Sequence, residues 1–197
     1  MGLRVIIEGF GGQGVKSTGD ILVAALFRRG HHVQGMPIYS PLQMGGQVVY
    51  SLGIDSDRDR VVPTKDRDVF VMMHRRLFTP EQAATVRPGG LILVNAPEIP
   101  GQLVGLGRRV AAADGDTIAR RNGLARANVP EISTVMAGAF ARATGVVALE
   151  ALEAAVRGAF PDRLAENLRS LRAGYDIVQV EEPPPPAPAA ADPGGTR

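Results

Sequence analysis

Apolar positions along the chain fall into short continuous runs that alternate with segments in which they recur at helical spacing. The runs predict strands at residues 3–7, 31–36, 47–54, 68–73, 91–95 and 109–113. Helical spacing predicts one helix from the first strand to Gly30, a second from Thr79 to a stop at Pro88-Gly89-Gly90, and a third from about Asp114. Three further helices are predicted at residues 130–144, 147–160 and 161–175. Residues 37–46, rich in proline and glycine, predict a loop, and the charged residues 55–66 predict an exposed connection.

Strands that alternate with helices predict a Rossmann-like, doubly wound α/β fold. Its sheet is expected to be mostly parallel, covered by helices on both faces, with a helical C-terminal part. The folded part is expected to be one domain, residues 1–178. Residues 179–197, which contain four successive prolines and then alanine, glycine and more proline, predict a disordered tail.

A glycine-rich segment, Gly9-Phe10-Gly11-Gly12-Gln13-Gly14, joins the first predicted strand directly to the first helix. Glycines at such a junction let backbone N–H groups approach a phosphate or another backbone without interference from side chains. The same glycines can instead serve only a tight turn and close packing of the helix on the strand. The sequence leaves anion binding and packing as alternatives.

Two specific phosphate-binding motifs are not completed around these glycines. Their spacing fits the dinucleotide pattern, but the stretch around residues 32–36, where an acidic residue would hold the ribose hydroxyls, contains neither Asp nor Glu. A Walker-type loop fails because Val15 stands where lysine is required and Lys16 comes one position late. A nicotinamide site therefore becomes a minor alternative.

Composition excludes several kinds of chemistry. The chain has no cysteine, so no iron–sulfur cluster or thiolate metal site can be held by cysteines of this polypeptide. The formal net charge is +2 and the basic residues are scattered in pairs, which argues against a nucleic-acid partner. The histidines lack spaced acidic partners, so no metal site is expected. No leader or long apolar segment is visible, and a cytoplasmic protein without membrane contact is expected.

Four segments together resemble the gamma subunit, or gamma domain, of the 2-oxoacid:ferredoxin (acceptor) oxidoreductases. The resemblance rests on Gly-Phe-Gly-Gly-Gln-Gly-Val at 9–15, Gln-Met-Gly-Gly-Gln-Val-Val at 43–49, Arg-Pro-Gly-Gly followed by a strand at 87–95, and Asn128-Val129 with the later Glu166-Asn167 and Ala173-Gly174-Tyr175. These segments occur in the expected order. The Gln before Gly-Gly and Ile99-Pro100 after the strand favour the small subunit of indolepyruvate oxidoreductases.

The resemblance implies an enzyme that acts only as an assembly. In such enzymes a 2-oxoacid is oxidatively decarboxylated on thiamine diphosphate, and electrons leave through iron–sulfur clusters. This chain lacks cysteine and any diphosphate-binding Gly-Asp-Gly motif with a downstream Asn-Asn. Thiamine diphosphate, Mg²⁺ and the clusters are therefore expected in a larger partner subunit of a hetero-oligomer. This chain is expected to hold no cofactor alone, to contribute no catalytic residue and to be inactive alone.

The resemblance also implies that this chain shields the thiamine site and contacts coenzyme A. The candidate binding residues lie in the glycine segment, the first helical turn and the second loop: Gly11, Gly12, Gln13, Gly14, Lys16, Ser17, Tyr39, Gly45 and Gly46. For Lys16, Ser17 and Tyr39, a surface or packing role is an alternative. Met44 stands where the family usually has arginine, and methionine cannot donate a hydrogen bond to an anion. The acceptor, acyl carrier or substrate is therefore expected to differ from the family norm.

Two other functional classes remain open at this point. One is a stand-alone reductase that binds NAD(P) or flavin, against which the missing ribose-binding acid counts. The other is a ligand-free α/β scaffold subunit, which Met44 keeps open.

Overall fold

The computed structural model describes residues 2–39, 46–55 and 67–183. The strands are β1 (Leu3–Phe10), β2 (Val33–Tyr39), β3 (Gln47–Ile54), β4 (Arg67–Met72), β5 (Val86–Asn95), β6 (Arg109–Ala113), β7 (Ala125–Arg126), β8 (Val129–Pro130) and β9 (Gln179–Glu181). The helices are α1 (Val15–Arg28), α2 (Pro80–Ala83), α3 (Gly115–Arg121), α4 (Ser133–Thr144), α5 (Leu149–Ala159) and α6 (Leu164–Ile177). Short 3-10 turns lie at Arg75–Leu77, Gly101–Leu103 and Pro161–Arg163.

Seven strands form one mixed, mostly parallel sheet in the order β2-β3-β1-β4-β5-β6-β9. Strands β1, β4, β5 and β6 pair in parallel, while β3 lies antiparallel between β2 and β1, and β9 pairs antiparallel with β6. Five strands therefore share one direction, and only β3 and β9 oppose it. The predicted α/β class and its mostly parallel sheet are confirmed.

The two faces of the sheet are covered differently. Alternate residues of the strands, such as Val5 and Val71, pack with α1, α4, α5 and α6 in the larger core. The residues between them, such as Ile6 and Phe70, pack against the short segments around Leu77, α2 and Leu103. The prediction of helices wound on both faces is wrong in this respect, because among the described residues all the long helices cover one face.

The second predicted helix is also wrong in extent. Helix α2 has four residues, with Thr79 accepting the N–H of Gln82 as its cap, and β5 already begins at Val86. Pro88-Gly89-Gly90 lies inside the strand, where pairing with β4 shifts register between Arg67 and Val69. A Cβ on Gly90 would lie 2.8 Å from the carbonyl oxygen of Asp68. The glycines here permit close strand contact at a bulge instead of stopping a helix.

Strand β2 continues further than its pattern predicts. It spans Val33–Tyr39, so the first three residues of the predicted loop extend the strand, paired with β3. The predicted loop residues 40–45, with Met44 and Gly45, lie outside the described residues, as does the predicted connection at 56–66.

The C-terminal helices follow the prediction closely and pack tightly. A Cβ on Gly138 of α4 would lie 2.0 Å from the carbonyl oxygen of Leu171, and one on Gly174 of α6 would lie 2.1 Å from that of Val135. These two glycines let the backbones of α4 and α6 touch. Past the predicted domain end at residue 178, strand β9 still pairs with β6, and residues 184–197 lie outside the described part. Within the described ranges, no helix combines the length and apolar character that crossing a membrane requires.

Candidate functional site: the glycine-loop pocket

The glycine segment leaves β1 in a turn that other residues would not readily adopt. Gly12 and Gly14 have φ of 93° and 89°, in the left-handed region where a Cβ is strained. Neighbouring groups also occupy the space that a side chain would need. A Cβ on Gly14 would lie 2.8 Å from the Cβ of Ser133, and one on Gly12 would lie 3.2 Å from Val129. The turn therefore depends on glycine for conformation and for contact.

The side chain of Gln13 holds this turn from inside. Its Oε1 accepts the N–H of Phe10 at 2.9 Å, and its Nε2 donates to the carbonyl oxygen of Met73 at 3.0 Å. Gln13 is buried. The structure thus places this predicted binding residue in the protein interior, where its amide ties the loop to the end of β4, and does not bring it among the groups that line the pocket.

The segment before β3 is fixed against the loop. The carbonyl oxygen of Gly46 accepts the N–H of Gly11 at 3.0 Å, and the side-chain amide of Gln47 donates to the carboxylate of Glu8. Glu8 is buried and lies 3.9 Å from the guanidinium of Arg67. The N–H of Gly11 is therefore engaged within the protein, which leaves Gly12 and the first helical turn as the backbone donors of this region.

Two helices begin at the same point beside the loop. The N–H of Ile132 donates to the carbonyl oxygen of Gln13 at 3.2 Å. The hydroxyl of Thr18 donates to the carbonyl oxygens of Gly14 and Ser133. Neither α1 nor α4 has a side-chain cap or an acidic residue in its first turn. Each helix start leaves N–H groups without intrahelical acceptors and carries the positive end of the helix dipole. Their convergence favours an anion.

A cavity of about 300 Å³, here called the glycine-loop pocket, opens at these helix starts. Its lining comprises Phe10, Gly11, Gly12, Gly14, Val15, Lys16, Ser17, Tyr39, Val48, Glu131, Ser133, Phe160 and Asn167. Six of the nine predicted binding residues are thereby brought together: Gly11, Gly12, Gly14, Lys16, Ser17 and Tyr39. Gly46 supports the loop from behind, and Gly45 lies outside the described residues.

The pocket also contains residues that the sequence reasoning missed. Ser133, Glu131 and Asn167 come from the start of α4 and from α6, more than a hundred positions after the glycines. The sequence held one signal for them. The segments Asn128-Val129 and Glu166-Asn167, which carry part of the family resemblance, lie at or next to these positions. Only the folded chain shows that these segments meet the loop.

Lys16 supplies the positive side chain of the pocket. Its ammonium lies 2.5 Å from Asp20 Oδ2, and this hydrogen bond raises the pKa of Lys16. The other oxygen of Asp20 accepts the hydroxyl of Tyr50 at 3.0 Å, and burial raises the pKa of Tyr50 above its ordinary value. Asp20 thus connects an exposed cation to the core, and Lys16 is charged at every physiological pH.

Comparison with known proteins assigns the chain to a family. Residues 4–177 match the family described as pyruvate ferredoxin/flavodoxin oxidoreductase. Over 187 residues the chain is 30% identical to the pyruvate/ketoisovalerate oxidoreductases common subunit gamma of Pyrococcus furiosus, covering 91% of this chain and 99% of that one.

Solved structures give the same result. The pyruvate oxidoreductase subunit PORC of Thermotoga maritima superposes with a TM-score of 0.79 at 27% identity, covering 92% of this chain and 99% of that one. A 2-oxoglutarate:ferredoxin oxidoreductase from Magnetococcus marinus shares the fold, with a TM-score of 0.71 at 19% identity, covering 89% of this chain and 30% of that one. The chain therefore belongs to the pyruvate ferredoxin/flavodoxin oxidoreductase family, and the prediction that it is a subunit of a 2-oxoacid:ferredoxin oxidoreductase is confirmed.

Proposed function

We propose that this chain is the gamma-type subunit of an enzyme whose larger partner holds thiamine diphosphate, Mg²⁺ and iron–sulfur clusters. The observation that carries the proposal is the absence of cysteine from a chain whose relatives of the same length are named as subunits. Cluster iron is held chiefly by cysteine thiolates, so the clusters would belong to another polypeptide. The enzyme would oxidatively decarboxylate a 2-oxoacid, with this chain contributing assembly and shielding of the thiamine site.

The glycine-loop pocket would take an anionic group of coenzyme A. Support comes from the uncapped starts of α1 and α4, which offer N–H donors and positive dipole ends, and from the protonated Lys16 beside them. The hydroxyl of Ser17 and the exposed ring of Tyr39 lie at the same cavity. The Magnetococcus marinus structure was solved with coenzyme A and succinyl-CoA bound, which makes coenzyme A the first ligand to test here.

The 2-oxoacid substrate has two candidate classes. The relatives are named for pyruvate and ketoisovalerate, which supports a short aliphatic 2-oxoacid. Gln43 before Gly45-Gly46, and Ile99-Pro100 after β5, support indolepyruvate as the second candidate. The partner subunit would make most contacts with the substrate side chain.

Co-purification tests the assembly. A tagged chain expressed in its native host is expected to bring down one larger subunit that contains thiamine diphosphate and iron–sulfur clusters. The isolated chain is expected to show no dye reduction with pyruvate, 2-oxoisovalerate or indolepyruvate in the presence of thiamine diphosphate and coenzyme A. Turnover by the isolated chain would contradict the assignment of the chemistry to a partner subunit. An isolated chain without a partner that carries bound flavin, or that binds NAD(P), would favour the stand-alone reductase.

Kinetics of the assembled enzyme test the pocket. Lys16→Gln is expected to raise the KM for coenzyme A about tenfold, because one charge-assisted contact is lost, and to leave the KM for the 2-oxoacid unchanged. Arg28→Gln is the matched control, since Arg28 is an exposed cation at the opposite end of α1. Equal effects of the two variants would contradict a pocket contact.

A further inference from the structure

A second cavity, of about 360 Å³, lies on the other side of the glycine segment. It is formed where β4 and β5 end and where α3 begins after β6. We call it the His74 crevice and define it by His74, Arg75, Phe78, Asn95, Pro97 and Asp116. None of these six residues lines the glycine-loop pocket, but Gln13, one of the predicted binding residues, also lines the crevice from the glycine segment.

The position of the crevice in the sheet favours ligand binding. From β1 the chain passes through α1 to β2 on one side, whereas β4 is followed by β5 on the other side. The direction in which strands are added thus reverses between β1 and β4. Gln13 after β1 and His74 after β4 both line the crevice, so one edge of it lies at this reversal, where open α/β sheets commonly bind ligands outside the carboxyl ends of their strands.

Three polar groups of the crevice remain available to a ligand. Nδ1 of His74 accepts the backbone N–H of Arg76 at 3.2 Å, which puts the proton of the neutral ring on Nε2 as a donor. Burial, and then the charges of Arg76 and Arg75, lower the pKa of His74. Arg75 is exposed and forms no ion pair with any described residue, and one oxygen of Asp116 is free of protein partners in the described ranges.

Asn95 makes this polar wall rigid. Its Nδ2 donates to the carbonyl oxygen of Met73 at 3.2 Å and to Oδ1 of Asp116 at 2.8 Å, while its Oδ1 accepts the N–H of Gly115 at 2.9 Å. Three elements, the ends of β4 and β5 and the start of α3, are thereby joined at one side chain. One oxygen of the exposed Asp116 carboxylate is thereby oriented by Asn95, which leaves the other oxygen toward a ligand.

The donor set selects a ligand that carries one anionic group and, some distance from it, hydroxyl groups. Arg75 and the Nε2–H of His74 suit an oxyanion, whereas Asp116 repels anions and accepts hydroxyl hydrogens. Phe78 and Pro97 add an apolar wall on which a ring can pack. Pyruvate and 2-oxoisovalerate have no hydrogen-bond donor for Asp116, and a polyphosphate adds further negative charge beside that carboxylate.

We propose that the His74 crevice is a binding site for a nucleoside 5′-monophosphate. The phosphate would lie at Arg75 and His74, the ribose hydroxyls at Asp116 and the base against Pro97. The volume of about 360 Å³ suits one nucleotide.

Calorimetric titration of the full chain with adenosine 5′-monophosphate tests this site. One nucleotide is expected to bind per chain, and Arg75→Gln and Asp116→Asn are each expected to weaken binding about tenfold. Arg169→Gln and Asp176→Asn are matched controls, because both residues are exposed on α6 and do not line the crevice. Absence of binding at about 1 mM nucleotide, or equal effects of the variants and their controls, would overturn the proposal.

Fragments of the ligand separate its recognised parts. Adenosine lacks the anion and inorganic phosphate lacks the hydroxyls, so each is expected to bind about tenfold more weakly than the nucleotide or worse. Phosphate that binds as tightly as the nucleotide would overturn nucleotide recognition. Coenzyme A binding that Arg75→Gln abolishes would overturn the monophosphate assignment. None of these results alters the co-purification outcome, so the nucleotide site and the subunit function fail independently.

Discussion

The glycine-loop pocket and the His74 crevice lie on opposite sides of the glycine segment, but they offer different chemical groups to a ligand. The pocket presents mainly backbone N–H groups of two helix starts, exposed because Gly12 and Gly14 carry no side chain. The crevice presents side chains, of which Asp116 is held by Asn95, whose two other hydrogen bonds join the ends of β4 and β5 to the start of α3. A backbone site is lost when a side chain is added, whereas a side-chain site is lost when its supporting frame is removed.

The largest effect is expected from adding one methyl group at the pocket. Gly14→Ala would place a Cβ at a φ of 89° and 2.8 Å from Ser133, so left-handed strain and overpacking add together. We expect the free energy of unfolding to fall by about 2 to 6 kcal/mol, measured by urea denaturation.

Gly30→Ala separates the two causes. Gly30 has a φ of 86° and no atom within 4 Å of an added Cβ, so only the strain of about 1 to 3 kcal/mol applies. Equal losses in the two variants would show that contact between the starts of α1 and α4 does not constrain residue 14.

A smaller effect is expected from removing the frame of the crevice. Asn95→Ala breaks three hydrogen bonds and leaves the carbonyl oxygen of Met73 with one donor fewer. We expect a loss of about 1 to 3 kcal/mol in urea denaturation, together with weaker nucleotide binding. Asn122→Ala is the control, because the side chain of Asn122 makes one hydrogen bond, to Ser170, and is expected to cost about 0.5 to 1.5 kcal/mol without changing nucleotide binding. If Asn95→Ala costs no more than Asn122→Ala, Asn95 does not organise the crevice.

The smallest effect is a pH dependence at His74. Burial, followed by the charges of Arg76 and Arg75, lowers its pKa from the ordinary 6.5 in the folded protein. As the pH falls through that value, the unfolded chain binds more protons than the folded chain, so the contribution of His74 to folding stability declines. The difference in unfolding free energy between the wild type and His74→Gln should therefore shift against the wild type from about pH 8 to about pH 5.

His32→Gln serves as the reference for this titration, because His32 is exposed and lies outside the crevice. His32 contributes to the lowered pKa of Asp55, but this carboxyl stays ionised from pH 8 to pH 5 and does not change the comparison. A pH-independent difference between wild type and His74→Gln would mean that the protein does not disfavour the charged imidazole.

Prediction from sequence succeeded where a pattern is local. The bounds of β3 and β6 match their predicted ranges, since each run of apolar residues ends at residues that favour turns or caps. Asp114 caps α3 by accepting the N–H of Thr117, as its type and position indicate. Prediction failed at Pro88-Gly89-Gly90, because the same residues that stop a helix also permit a bulged strand, and pairing with β4 selects the strand.

For the candidate site, the sequence by itself determined the turn. Glycines between a strand and a helix require an open backbone at residues 11–14, and a chain without cysteine provides no thiolate for a cluster. Only the tertiary structure decided what the turn faces. The start of α4 reaches Gly14 from more than a hundred residues away, and the amide of Gln13 is turned inward by Met73. The His74 crevice likewise exists only because parallel strands distant in sequence end side by side, a proximity that spacing along the chain does not encode.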